Sequence, residues 1–264
     1  MSDGQAHMIR ADGRQLECQW VGPEDVDDGK PVLVFLHEGL GCIALWRDFP
    51  ETLCRELGLR GFVYSRAGYG GSEPCDLPRP VSFMHHEGQV VVPQVLDAAG
   101  IKKAILIGHS DGGSITLVHA GSDTSGRICA LVTLAAHVFN EDISVKSIQA
   151  AKVAYDEGDL RQRLQKYHGH NVDCAFRGWN DVWLHPDFLN WNIEAFLPGI
   201  KAPALVLQGA DDPYGTQKQV EAIVDGIGAE AQKHIIADCG HSPHLEQREE
   251  TLQQIITFVD NYVL

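Results

Sequence analysis

The chain is poor in positive charge and empty of the usual metal and dithiol signatures. Lys and Arg together number 21 against 36 Asp and Glu, a formal net charge of −15 over 264 residues. So acidic a chain excludes nucleic acid and anionic membrane surfaces as expected partners. The cysteines, seven in all at positions 18, 42, 54, 75, 129, 174 and 239, contain no C-x-x-C spacing. An odd set without that spacing reads as free, mostly buried thiols, which suits a reducing compartment and a cytoplasmic location. None of the thirteen histidines falls in an H-E-x-x-H pattern. The neighbouring pairs His85-His86 and His168-Gly169-His170 are expected to face solvent, and no metal is expected. No apolar run reaches membrane-spanning length, and Met1 to Gln5 lack a charged-then-apolar leader pattern. Repeats and low-complexity stretches are absent too.

What remains is an alternation of short apolar runs and amphipathic segments. Strands are expected near 16–21, 31–37, 61–66, 104–109, 128–136, 203–209 and 233–238, with a polar loop at 23–30. Helices are expected over 46–57, 82–99, 113–121, 216–226 and 247–262. Strand alternating with helix implies a mostly parallel central sheet with right-handed crossovers. With 44% hydrophobic residues the chain can bury one large core. One connection breaks the rhythm: some sixty residues separate the strand ending near 137 from the one beginning near 204. Within it, 148–155 and 160–167 have helical spacing, and Trp179, Trp183, Phe188, Trp191 and Phe196 follow.

The most informative stretch is Gly108-His109-Ser110-Asp111-Gly112. It follows the β-branched run Ala104-Ile105-Leu106-Ile107 and precedes the helical stretch from Gly113. G-x-S-x-G between strand and helix is a nucleophile elbow, in which serine sits on a strained turn and small neighbours let strand and helix pass closely. A serine hydroxyl needs a base to take its proton and a carboxylate to orient that base. Downstream, the strand Ala204-Leu205-Val206-Leu207-Gln208-Gly209 opens into Asp211-Asp212, and the last strand into Cys239-Gly240-His241-Ser242-Pro243-His244. Acid and base therefore follow the nucleophile in chain order, each on a loop after a strand. Cys239, close to His241, is flagged as an oxidation-sensitive thiol.

These residues resemble the α/β-hydrolase superfamily over nearly the whole chain. Besides the elbow and Gly240-His241, His37-Glu38-Gly39-Leu40-Gly41 is similar to the family's oxyanion loop. Tyr64-Ser65-Arg66-Ala67-Gly68-Tyr69-Gly70-Gly71-Ser72 is similar to its Asp-x-Arg-Gly-x-Gly-x-Ser turn. The resemblance implies an α/β-hydrolase fold, with core segments 1–139 and 201–264 and a helical cap at 140–200 inserted after the sixth strand. It implies Ser110 as nucleophile, Asp212 rather than Asp211 as acid, and His241 rather than His244 as base. The backbone N–H groups of Asp111 and Gly39 are the implied oxyanion donors.

Two departures from the pattern stand out. Ser65 replaces the acid before Arg66, and Glu38 replaces a glycine beside the oxyanion site. Glu38 either turns to solvent, recognises a cationic or donor group on the substrate, or holds Arg47 or Arg66. Trp46, His137, Trp179 and Trp183 are expected to line the cleft. Arg177 is either a surface cation or a clamp for a substrate carboxylate. A serine at the elbow disfavours the dehalogenases and epoxide hydrolases of the superfamily, which use aspartate there. The reading is a cofactor-free serine hydrolase that cleaves a small ester or lactone with an apolar or aromatic part. The alternatives are a carbon–carbon hydrolase of an aromatic ring-cleavage product, which needs an acid-binding pocket, and a hydrolase-fold binding protein with little turnover.

Overall fold

The structure is a computed structural model and describes residues 6–24 and 29–263. Eight strands form one sheet: β1 His7–Ala11, β2 Arg14–Val21, β3 Val32–Leu36, β4 Gly61–Tyr64, β5 Ala104–His109, β6 Ile128–Leu134, β7 Ala204–Gly209 and β8 Ala231–Ile236. Their spatial order is β1-β2-β4-β3-β5-β6-β7-β8. β1 and β2 run antiparallel at one edge, and the pairings from β4–β3 through β7–β8 are all parallel. Residues 25–28 of the expected loop and the leader reading of Met1 to Gln5 lie outside the described residues. Among the described residues no helix is long and apolar enough to cross a membrane.

β3 and β5 are apolar at nearly every position because both faces of the sheet are covered. Leu33, Phe35, Ile105 and Ile107 point to one side, against helices α1 (Phe49–Leu57) and α10 (Arg248–Tyr262). Val34, Leu36 and Leu106 point to the other, under α3 (Val92–Ala98), α4 (Asp111–Ser122) and α8 (Gln217–Ile227). The other helices are α2 Phe83–His86, α5 Asp142–Asp156, α6 Leu160–His168, α7 Val172–Trp183 and α9 Pro243–Glu246.

The structure departs from the sequence reading at identifiable places. β1 was not expected. It pairs with β2 across Asp12-Gly13, both at positive φ (49° and 74°), the two-residue turn that Asp-Gly favours. The helix expected over 46–57 is split: Ile43–Trp46 is a single 3₁₀ turn, Arg47 sits at φ 54°, and α1 starts beyond it with Pro50 in its first turn. The helix expected over 82–99 widens into a π turn at Glu87–Val91 between α2 and α3. There Gly88 presses on α4, and a methyl at Gly88 would lie 2.7 Å from Val118 Cγ1.

Between β6 and β7 lie α5, α6 and α7, followed by 3₁₀ turns at Pro186–Asn190 and Glu194–Gly199. α7 buries Val172, Ala175, Phe176, Trp179, Val182 and Trp183, one stripe at helical spacing. His168 corrects its expectation: it is buried, accepts from the Gly70 N–H at 3.1 Å and donates to the Leu40 carbonyl at 3.0 Å. It pins the end of α6 to two core loops instead of facing solvent.

Candidate active site

Ser110 stands between β5 and α4 with φ 52° and ψ −117°. Such a conformation costs about 1–3 kcal/mol for a residue with a side chain and persists only where its surroundings impose it. The Ser110 N–H donates to the Leu134 carbonyl at 2.8 Å, holding the turn to β6. A Cβ on Gly108 would lie 2.3 Å from the Gly112 carbonyl oxygen, and one on Gly112 would lie 2.0 Å from that of Leu36. Backbone cannot retreat from such contacts, so both glycines are obligatory.

His241, on the loop after β8, puts Nε2 2.9 Å from Ser110 Oγ. Its Nδ1 lies 2.8 and 3.0 Å from the two carboxylate oxygens of Asp212. Asp212 is held in turn by the Tyr214 N–H at 2.8 Å and the Gln208 side-chain amide at 3.3 Å. Burial by itself would raise the Asp212 pKa. The hydrogen bond and charge of His241 outweigh it, and the net shift is downward. Asp211 is exposed, and His244 is buried against Trp46 and His109. Neither touches Ser110.

Behind His241 lies a second polar chain. His109 Nε2 donates to the His241 carbonyl at 2.8 Å, while its Nδ1 faces Glu38 Oε2 at 3.4 Å. Burial disfavours the His109 imidazolium, but the Glu38 carboxylate beside Nδ1 prevails and raises its pKa. Burial likewise works against the Glu38 carboxylate, and His109 again prevails and holds its pKa well below the usual range. Glu38 therefore neither turns freely to solvent nor pairs through its carboxylate with Arg47 or Arg66; Arg66 Nη2 donates to the Glu38 backbone carbonyl at 2.8 Å instead. The departure at Ser65 has a local account as well. Ser65 Oγ donates to Glu17 Oε2 at 3.0 Å, and the same oxygen accepts the Gly71 N–H at 2.9 Å, so β2 brings a carboxylate to this turn.

A cavity of about 220 Å³ opens over Ser110, bordered by Glu38, Gly39, Asp111, His137 and His241. Its apolar walls are Leu40, Ile148, Trp179, Trp183 and Tyr214, and among the described residues no Lys or Arg lines it. Trp179 packs so closely on the loop after β3 that a methyl on Gly39 would sit 2.2 Å from the indole. Trp183 Nε1 donates to Asp111 Oδ1 at 3.1 Å. Asp111 is fully buried, which raises its pKa; the Arg66 charge and the Trp183 bond offset only part of that. His137 is buried with its pKa lowered to about 4, by desolvation first and the nearby His241 second, so it is neutral at pH 7.

Two expected cleft residues lie elsewhere. Trp46 is buried beneath the site, packed on Phe35, Phe49 and His244, because the 3₁₀ turn rotates it toward the core. Arg177 faces away from the cavity. Its Nη2 is 2.6 Å from Asp156 Oδ1, and its guanidinium lies over Tyr155 and Phe176. Cys239 is buried and its thiol is pushed up to about 11, the reverse of a reactive thiol. Tyr214 was missed. Its ring lies 4.6 Å from that of His241, and its place just past Asp212-Pro213 is the signal that marks it.

A model of the alpha/beta hydrolase family matches residues 33–254. The chain belongs to that family. This α/β-hydrolase is similar, at 27% identity over 263 residues, to 2-hydroxy-6-oxo-6-phenylhexa-2,4-dienoate hydrolase of Comamonas testosteroni, with 89% of each chain covered. It is 26% identical over 188 residues to an esterase of Escherichia coli, covering 63% of this chain and 71% of the relative. Among solved structures, a thermophilic esterase from Thermogutta terrifontis superposes with a TM-score of 0.75 at 19% identity, covering 99% of this chain and all (100%) of the other; at that identity the likeness shows the fold. The α/β-hydrolase is thus an enzyme of the hydrolase class, among relatives named as esterases and carbon–carbon hydrolases.

Proposed function

We propose that the protein is a serine esterase or lactonase acting on uncharged small substrates through Ser110, His241 and Asp212. The observation that carries this reading is the continuous hydrogen-bonded line from Ser110 Oγ through His241 to Asp212 at 2.9 and 2.8 Å. Ser110 attacks the carbonyl carbon while His241 takes its proton. Asp212 keeps the imidazole oriented and stabilises its charge. The Gly39 and Asp111 N–H groups bind the developing oxyanion, each contributing about 3 kcal/mol to the barrier reduction. His241 then protonates the leaving group, and water, activated by the same base, releases the acyl group. Residues 140–200 serve as the lid: Trp179 and Trp183 from α7 and Ile148 from α5 roof the cavity and exclude bulk water.

The walls favour this chemistry over cleavage of a dienoate. A dienoate carries a carboxylate, and a cation is the strongest partner a pocket can offer it. Among the residues lining this cavity there is none, whereas Glu38 and Asp111 both border it. The similarity to the Comamonas hydrolase keeps carbon–carbon cleavage as the second reading.

A panel of p-nitrophenyl esters, lactones and a phenyl dienoate, run on wild type and Ser110→Ala, tests the proposal. Expected are turnover of short neutral esters or lactones, a loss of at least about 10³-fold in Ser110→Ala, and poor turnover of the dienoate. Faster turnover of the dienoate than of any ester would transfer the assignment to the second reading. An inert but folded wild type would point to a binding role.

A further inference from the structure

Cys75 and Cys174 are far apart in the chain and meet where the inserted helices touch the core. Cys75 lies on the loop that follows β4, and Cys174 is the third residue of α7. Their sulfurs are 3.0 Å apart. The Cys75 N–H donates to Cys174 Sγ at 3.3 Å, and Cys174 Sγ lies 3.5 Å from the Cys75 carbonyl oxygen. Both side chains are partly exposed, unlike the buried Cys18, Cys42, Cys54 and Cys239.

We infer that Cys75 and Cys174 form an oxidisable dithiol site whose disulfide ties α7 to the core. The site takes a low-molecular-weight disulfide such as oxidised glutathione. In the first step the Cys75 thiolate attacks one sulfur of glutathione disulfide, breaks its S–S bond and expels one glutathione thiolate. In the second, Cys174 gives its proton to solvent and attacks the Cys75 sulfur, expelling the second glutathione thiolate. The protein loses two electrons and two protons, and one glutathione disulfide becomes two glutathione thiols. Cys75 is suited to go first. The hydrogen bond from Cys174 lowers its pKa, more strongly than burial raises it, and the Arg79 charge adds to the lowering; Cys174 is correspondingly raised.

The bond would close where polar contacts already gather. Asn171 Nδ2 donates to the carbonyls of Gly70 and Ser72 at 3.1 and 2.7 Å, and His168 accepts from the Gly70 N–H. The start of α7 is thus docked on the loop that carries Cys75, and the other half of the same helix carries Trp179 and Trp183 over the cavity. A covalent tie at one end limits how far those tryptophans swing away. The inference does not depend on which bond the enzyme cleaves.

The test equilibrates wild type in glutathione buffers of rising oxidised fraction, then quenches, alkylates the free thiols and weighs the protein and its peptides. Expected is the joint protection of two of the seven thiols, one cross-linked peptide joining Cys75 to Cys174, and reversal by dithiothreitol. Oxidation should also raise Tm and slow amide exchange in α7 in wild type but not in Cys174→Ser. Full alkylation of Cys75 and Cys174 in every buffer, or glutathione retained on Cys75 without a cross-link, overturns the site. A cross-link that leaves Tm and α7 exchange unchanged overturns the tie.

Discussion

At the scale of single residues, position decides which of two like groups matters. Asp211 and Asp212 are adjacent, yet only Asp212 reaches His241. Asp212→Asn is expected to lower kcat by about 10³–10⁴-fold, and Asp211→Asn by less than about twofold, since its exposed side chain lies outside the relay; kinetics on one neutral ester distinguish them. Glu38 gives a pH prediction. The His109 pKa is raised in the folded state, so its contribution is complete below the ordinary histidine value and fades as pH rises through the raised one. The Glu38 pKa is depressed, so its contribution is complete above the ordinary glutamate value and fades as pH falls through the depressed one. Glu38→Gln should therefore cost about 1–3 kcal/mol in the mildly acidic window between the ordinary glutamate and histidine values, and less at both extremes. Thermal melts of the two proteins across pH measure this, and a gap independent of pH would contradict the ion pair.

At the scale of elements, Gly88 shows packing overruling propensity. In an ordinary helix Gly→Ala gains about 1 kcal/mol. Here the new methyl meets Val118 at 2.7 Å and the His119 backbone nitrogen at 3.0 Å. Overpacking of that kind costs about 1–3 kcal/mol, so Gly88→Ala should lower the urea midpoint rather than raise it. The same balance explains what could be read from the chain beforehand. The parallel core was legible because β3, β5 and β7 are continuous apolar runs, and the loops with Ser110 and Asp212 follow two of them, while His241 follows the shorter, half-buried β8. The π turn at 87–91 was not, because its cause is α4 on the far side of the contact. α7 hid for another reason: Gly178 interrupts its propensity, while its apolar stripe shows only when Val172 to Trp183 are taken together. Asp12-Gly13 did announce the β1–β2 hairpin and went unread. Trp46 was misplaced because position along an element does not fix the direction a side chain takes at its end, whereas Arg177 took the first of its two readings, a cation paired away from the cavity.

At the scale of the whole molecule, charge and cavity agree. A chain of net charge −15 whose cavity is lined by no cation repels anions at a distance and offers them no partner inside. An ester with a carboxylate in its acyl chain should show lower kcat/KM than its neutral isostere. That deficit should shrink as salt rises from about 10 mM to 0.5 M and the Debye length contracts, while the neutral ester changes little. Stopped assays over a salt series decide it, and equal salt dependence would exclude a long-range origin.

The bond from His109 to the His241 carbonyl has a further consequence. Ser110 and the residue before it both hold His241, one through the imidazole and the other through the backbone carbonyl. His241 is thereby splinted from two sides by consecutive residues of a single turn. In the proposed reaction its imidazole pivots between attacking and leaving oxygens while its backbone stays anchored. Removing the hydroxyl at position 110 takes away the grip on the ring and leaves the splint in place. The loop from the far end of the chain thus keeps its station whether or not that hydroxyl is there to meet it.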